Sequence, residues 1–165
     1  MKTLPPFLLA AALLPLLAGC EKHRLDAQVK ELCAKDGGVK VYETVKLPAD
    51  RFDQWGMVKL YSERQEIKEA YRNDQSDTHM EHVMGSNYIL KKNIHYYQKG
   101  SPSLHRYHAQ VFSRADGKLL GESIGYSRGG GDFPGPWQPS SFSCPDRYGE
   151  VPLLMEVFVK SNLGE

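Results

Sequence analysis

HRYHAQVFSRADGKLLGESIGYS, residues 105–127, is a pair of alternating runs joined by a turn signal. His105 to Ser113 and Lys118 to Ser127 flank Ala115-Asp116-Gly117. Asp-Gly between such runs marks a β-hairpin, because the tight turn needs positive φ angles that glycine adopts freely. A lone hairpin is marginal in water and needs further strands or a helix over its apolar face. Upstream, Tyr88 to Gln98 supplies a strand that ends at Gly100-Ser101-Pro102. Val39 to Leu47 alternates in the same way, Met57 to Tyr61 offers a second strand, and Leu153 to Lys160 a last one.

Helical periodicity appears in two places. Within Glu21 to Lys35, Leu25, Val29, Leu32 and Cys33 fall at i, i+4, i+7 and i+8, and Asp36-Gly37-Gly38 ends the run. Ser62-Glu63-Arg64-Gln65 fits a capping box, which would start a short helix carrying Ile67, Ala70 and Tyr71. Asn73 to Thr78 is polar and reads as loop. Gly129 to Pro145 holds four Gly and four Pro, with Phe133, Trp137 and Phe142 between them, and reads as a long loop. The sum is one α+β domain: an N-terminal helix on a mainly antiparallel sheet of five or six strands.

The region ahead of that helix is of another kind. Met1-Lys2-Thr3 is followed by an uncharged run from Leu4 to Leu17. Fourteen residues fall short of the roughly 20 that a membrane-crossing helix needs, and the flanks are those of a secretory signal. Pro5, Pro6 and Pro15 further disfavour a permanent span. The run closes on Leu17-Ala18-Gly19-Cys20, which resembles the bacterial lipobox: an apolar residue, two small ones and a cysteine. The resemblance implies cleavage of residues 1–19, a lipid on Cys20, and a tether of residues 20–24 before a globular domain at 25–165. Two or more acyl chains anchor firmly where one is marginal. Glu21, not Asp, follows the cysteine, which by the enterobacterial sorting rule favours the outer membrane over the inner.

Removing residues 1–19 leaves 146 residues, with 20 basic and 20 acidic side chains. That neutrality argues against a nucleic-acid partner, which a basic excess would announce. With Cys20 taken by lipid, Cys33 and Cys144 remain in an oxidising compartment and are expected to form one disulfide.

The clearest local cluster of possible ligands is His79-Met80-Glu81-His82-Val83-Met84. His79, Met80, His82 and Met84 are soft or borderline donors of the sort that hold copper or zinc, and on a helix His79 and His82 would share a face. The plain alternative is a solvated segment with two packing methionines. His105 and His108 lie an odd number apart on one strand and so face opposite sides. Gly129-Gly130-Gly131 lacks the following helix that a phosphate cradle requires, so it reads as a close backbone approach. Asp132 and Asp146 are expected to pair with Arg128 and Arg147 in loop salt bridges. Neither a Gly-x-Ser-x-Gly elbow nor a His-Glu-x-x-His pair is present. No catalytic residue and no cofactor is indicated.

Leu32 to Glu43 (LCAKDGGVKVYE), Tyr126 to Trp137 (YSRGGGDFPGPW) and Ser143-Cys144-Pro145 resemble a family of small proteobacterial lipoproteins without an established activity. The resemblance implies lipid anchoring and contributes no site residues. The expectation is therefore a membrane-anchored envelope lipoprotein whose domain is a non-enzymatic binding or structural module. Its envelope-protein partner would meet the loop of Phe133, Trp137 and Phe142, unless those aromatics simply plug the core. Metal handling by the His79–Met84 segment is the alternative reading, and an envelope hydrolase of another type is the third.

Overall fold

The computed structural model describes residues 6–67, 72–73, 77–132 and 139–161, with side chains described from residue 21 and not for residues 72–73. The first helix, α1, runs Pro6–Asp36, and no helix of the described residues is long and apolar enough to cross a membrane. Then come β1 (Gly38–Val41), β2 (Val45–Leu47), β3 (Gln65–Glu66), β4 (Arg72–Asn73) and β5 (Asp77–Met84). Three eleven-residue strands follow: β6 (Tyr88–Gln98), β7 (Ser103–Ser113) and β8 (Leu119–Gly129). The chain closes with β9 (Ser141–Cys144), helix α2 (Glu150–Val157) and β10 (Phe158–Lys160).

One antiparallel meander, β5-β6-β7-β8, forms the spine of an eight-stranded sheet in the order β1-β8-β7-β6-β5-β3. β4 also pairs with β5, and β9 with β8. β1 takes Gly121–Ile124 along the outer edge of β8, and β9 takes the next stretch, Tyr126–Gly129. Six of the eight strands are four residues or longer, and β3 and β4 are two-residue pairings. β2 and β10 make a separate parallel pair. The expected α+β architecture is present, with the Asp116-Gly117 hairpin between β7 and β8 and Gly117 at φ +71°.

Two-residue periodicity gives the sheet two apolar faces. On one, Leu104, Ile124 and Tyr126 pack under Leu25, Val29 and Cys33 of α1, joined by Phe142 and Cys144. On the other, Met84, Leu90, Ala109 and Val111 pack under Leu153, Leu154 and Val157 of α2, with Phe52, Val58, Leu60 and Phe158. Gly121 permits that second contact, since a Cβ there would lie 2.8 Å from Val157 Cγ2. The Cys33–Cys144 disulfide is formed and ties α1 to β9 across 111 residues.

Six local expectations change. Asn73–Thr78, read as loop, gives Asn73 to β4 and Asp77 and Thr78 to β5, and the stretch Gly129–Pro145, read as one long loop, contains β9. Leu153–Lys160 is not one strand: it is the second half of α2 followed by β10. Leu153, Leu154 and Val157 suit a helix face, and Pro152 sits in the first turn, where no hydrogen bond is lost. A short apolar run cannot separate these states by periodicity. Val39–Leu47 breaks after Val41, where the amides of Tyr42 and Glu43 both donate to Leu120 O and the chain leaves the sheet. Met57–Tyr61 holds a 3₁₀ turn at Lys59–Tyr61 in place of a strand. The capping box is not made, because Ser62 Oγ donates backward to Lys59 O (2.8 Å) and Gln65–Glu66 joins β5. The helix expected to follow falls partly on residues 68–71, outside the described residues.

Candidate functional site

Cys20 lies within α1, and the next residues are already bonded into the fold. Gln98 Nε2 donates to Glu21 Oε1 (3.0 Å), and Lys22 Nζ meets Asp132 Oδ1 at 2.5 Å. Asp132 also accepts from the Ser140 amide and, at 2.9 Å, from its hydroxyl. These three bonds hold its carboxyl well below the usual range, at about 2, with the Lys22 bond the largest influence. Arg128 is 2 % exposed, with Nε 2.8 Å from Asp26 Oδ1 and Nη1 donating to Gly130 O (2.7 Å) and Ser140 O (2.9 Å). Asp132 and Arg128 are therefore not paired with one another, as expected from their nearness in sequence; each is paired with α1. Both bonds cross more than a hundred residues, so nothing local announces them. The glycine run is the close approach expected: Gly130 and Gly131 have φ of +76° and +82° and pack on Ser101 and Pro102.

Of the aromatic loop, Phe133 and Trp137 lie outside the described residues. Phe142 is on β9, against the α1-side core, with Lys30 Nζ 5.5 Å above its ring. Its surroundings are those of a packing residue.

His79, Met80, His82 and Met84 lie on β5, not on a helix. The i, i+3 argument for a shared ion between His79 and His82 therefore fails, because three residues along a strand is a change of face. His79 Nδ1 is 2.5 Å from Asn93 Oδ1 on the α1 side, whereas Met80, His82 and Met84 face the α2 side. Met84 is fully buried in the core. Among the described residues no group of three or more His, Cys, Asp or Glu is placed to hold a metal ion.

On the α2 side the structure assembles a cluster that sequence spacing does not show. Tyr61 donates to Glu150 Oε1 (2.5 Å), Tyr107 donates to Glu150 Oε2, and Lys92 Nζ lies 3.5 Å from the same oxygen. Arg64 stacks on Tyr61, 4.0 Å from the ring centre. Burial alone would raise the Glu150 pKa, but the two phenol hydrogen bonds and Lys92 outweigh it and hold the carboxyl below its ordinary value. Burial and the same bonds push Tyr61 up to about 12 and Tyr107 higher still. At neutral pH the cluster is a carboxylate held by two phenols, so each proton stays where it is and none is poised for transfer. His82 lies beside it, 9 % exposed, with Nε2 buried and unbonded.

Two other histidines are half-buried. His105 is cross-strand from Ser127, whose hydroxyl lies 3.0 Å from that of Ser143, but His105 Nδ1 is buried without a partner. His108 Nε2 donates to Glu122 Oε2 at 2.8 Å. Burial lowers the pKa of His82, His105 and His108 below the ordinary 6.5; Lys92 and Arg64 add to the effect at His82, and the Glu122 bond opposes it at His108 without reversing it. A group depressed in the folded state leaves the unfolded chain binding more protons as pH falls through 6.5, so stability is lost in that direction. The thermal midpoint should fall as pH is lowered from about 7.5 to about 5, and His105→Gln should make that slope shallower. A midpoint flat across this range would show that the three imidazoles are not desolvated.

Comparison of the chain with protein-family models, curated proteins and solved structures finds no match in any of the three.

Proposed function

We propose that this chain is a lipid-anchored protein of the bacterial cell envelope whose domain is a non-enzymatic binding or structural module. The observation that carries the reading is Leu17-Ala18-Gly19-Cys20 at the end of an uncharged run of signal-peptide length. Among the described side chains, α1 packs on the sheet through Leu25, Val29 and Cys33, all of which the cleaved chain retains. Glu21 favours the outer membrane over the inner under the enterobacterial rule. The module reading is supported by a Glu150 cluster whose carboxylate is held by Tyr61, Tyr107 and Lys92, with no mobile proton.

Two acyl chains bring some thirty methylenes to the bilayer at about 0.8 kcal/mol each, far more than any surface contact supplies. Mass spectrometry of the N-terminal peptide should therefore show a diacylglyceryl group on Cys20. Cys20→Ala should move the protein from the membrane fraction to the soluble envelope fraction. An unmodified Cys20, or a membrane fraction unchanged in the variant, would sink the reading.

A further inference from the structure

We propose that the end of the sheet formed by Gln98, Lys99, Ser101 and Asp132 rests on the phospholipid bilayer, and that the Trp55 turn is presented at the opposite end. This rests on the lipidation of Cys20.

The first argument is chain length. One residue spans at most about 3.6 Å. Glu21, next to the acylated cysteine, is already bonded to Gln98, and Lys22 to Asp132. No flexible segment intervenes, so the lipid and this end of the sheet cannot separate by more than a few ångströms without breaking those bonds. Arg128 and Asp26, one turn further along α1, hold the helix in the same attitude.

The second argument is charge. Two of the acidic groups here are paired with cations, Asp26 with Arg128 and Asp132 with Lys22, while Glu21 is bonded by the neutral Gln98 amide and keeps its charge. Among the described residues, the exposed charged side chains beside Gln98 are Arg24 and Lys99, so the cations outnumber the one uncompensated carboxylate. Zero net charge over the mature chain thus conceals a cationic contact point where anionic headgroups would lie.

The third argument is distance. β6 runs from Gln98 at the anchored end to Tyr88 at the other, eleven residues, roughly 35 Å at 3.3 Å each. The segment bearing Trp55 packs at the Tyr88 end, where a Cβ on Gly85 would lie 2.9 Å from Leu60 Cδ2. Trp55 is 76 % exposed, yet its turn is tightly built. Asp53 Oδ1 accepts from the amides of Trp55 (2.9 Å) and Met57 (2.8 Å), Asp53 N donates to Met57 O, and Gly56 turns the chain at φ +82°. Among the described residues, the largest exposed apolar side chain is therefore fixed on the side away from the bilayer.

The test uses the full lipidated protein in phosphatidylethanolamine–phosphatidylglycerol vesicles carrying nitroxide on the headgroup. The chain has two tryptophans, so Trp137→Phe leaves Trp55 as the sole emitter. Trp55→Phe/Trp137→Phe/Lys99→Trp instead places the emitter at the anchored end. Quenching should be several-fold stronger for the second reporter, with Trp55 close to its level in nitroxide-free vesicles. Inserting a ten-residue Gly-Ser spacer between Cys20 and Glu21 should reduce the quenching at position 99. Equal quenching of both reporters in a chain shown by mass to be acylated overturns the orientation alone. A chain without acyl groups overturns the orientation together with the lipoprotein reading.

Discussion

Asp26→Ala should cost the domain about 3–5 kcal/mol, because it strands a buried guanidinium without its counter-charge. Arg128 is 2 % exposed and keeps only the neutral oxygens of Gly130 and Ser140 in that variant. The loss falls on the arginine, since the Asp26 side chain is partly open to water. Arg128→Met is the informative companion. It fills the same space without burying a charge, so the double variant Asp26→Ala/Arg128→Met should recover much of the loss. Urea unfolding of a soluble form starting at Glu21 measures all three. A cost below about 1 kcal/mol for Asp26→Ala, the level of an exposed surface pair, would mean that Arg128 is solvated.

Cys33→Ala/Cys144→Ala should be of similar size. The bridge closes a loop of 111 residues, and in the chain-entropy model its loss returns roughly 4–5 kcal/mol of freedom to the unfolded chain. For a domain near 150 residues that corresponds to a fall of roughly 10–20 °C in thermal midpoint. Reduction of the wild-type protein should reproduce it. A midpoint that does not move would show that α1 stays docked on Leu104 and Ile124 without help. The two perturbations act on the same helix, seven residues or roughly 10 Å apart, so their combined cost should be less than their sum.

Much of this arrangement is readable where the chemistry is local. Asp116-Gly117 announces its hairpin because few residue pairs accept that turn, and Tyr88–Gln98, rich in Tyr and Ile, forms the single strand its composition suggests. Leu25, Val29 and Cys33 mark the buried stripe of α1, and removing Cys20 from the cysteine count leaves the one pair that forms. What is hidden depends on distance or on competition. Leu153, Leu154 and Val157 satisfy a short strand as well as a helix, and only the groove over Gly121 decides for the helix. His79 to Met84 alternates as a strand should, but its polar residues obscure that pattern and invite a helical reading. The Arg128–Asp26 pair and the carboxylate shared by Tyr61, Tyr107 and Lys92 draw on residues 102, 89, 43 and 58 positions apart, and no window of sequence contains them.

The span between Cys33 and Cys144 also orders events in time. If export proceeds from the N-terminus, Cys33 reaches the oxidising side early and waits as a free thiol while 111 further residues follow. Acylation of Cys20, by contrast, needs only the segment around the cleavage site. Under the lipid anchoring proposed above, attachment to the membrane would precede closure of the domain, and the reduced chain's search for Cys144 would be confined to the membrane surface.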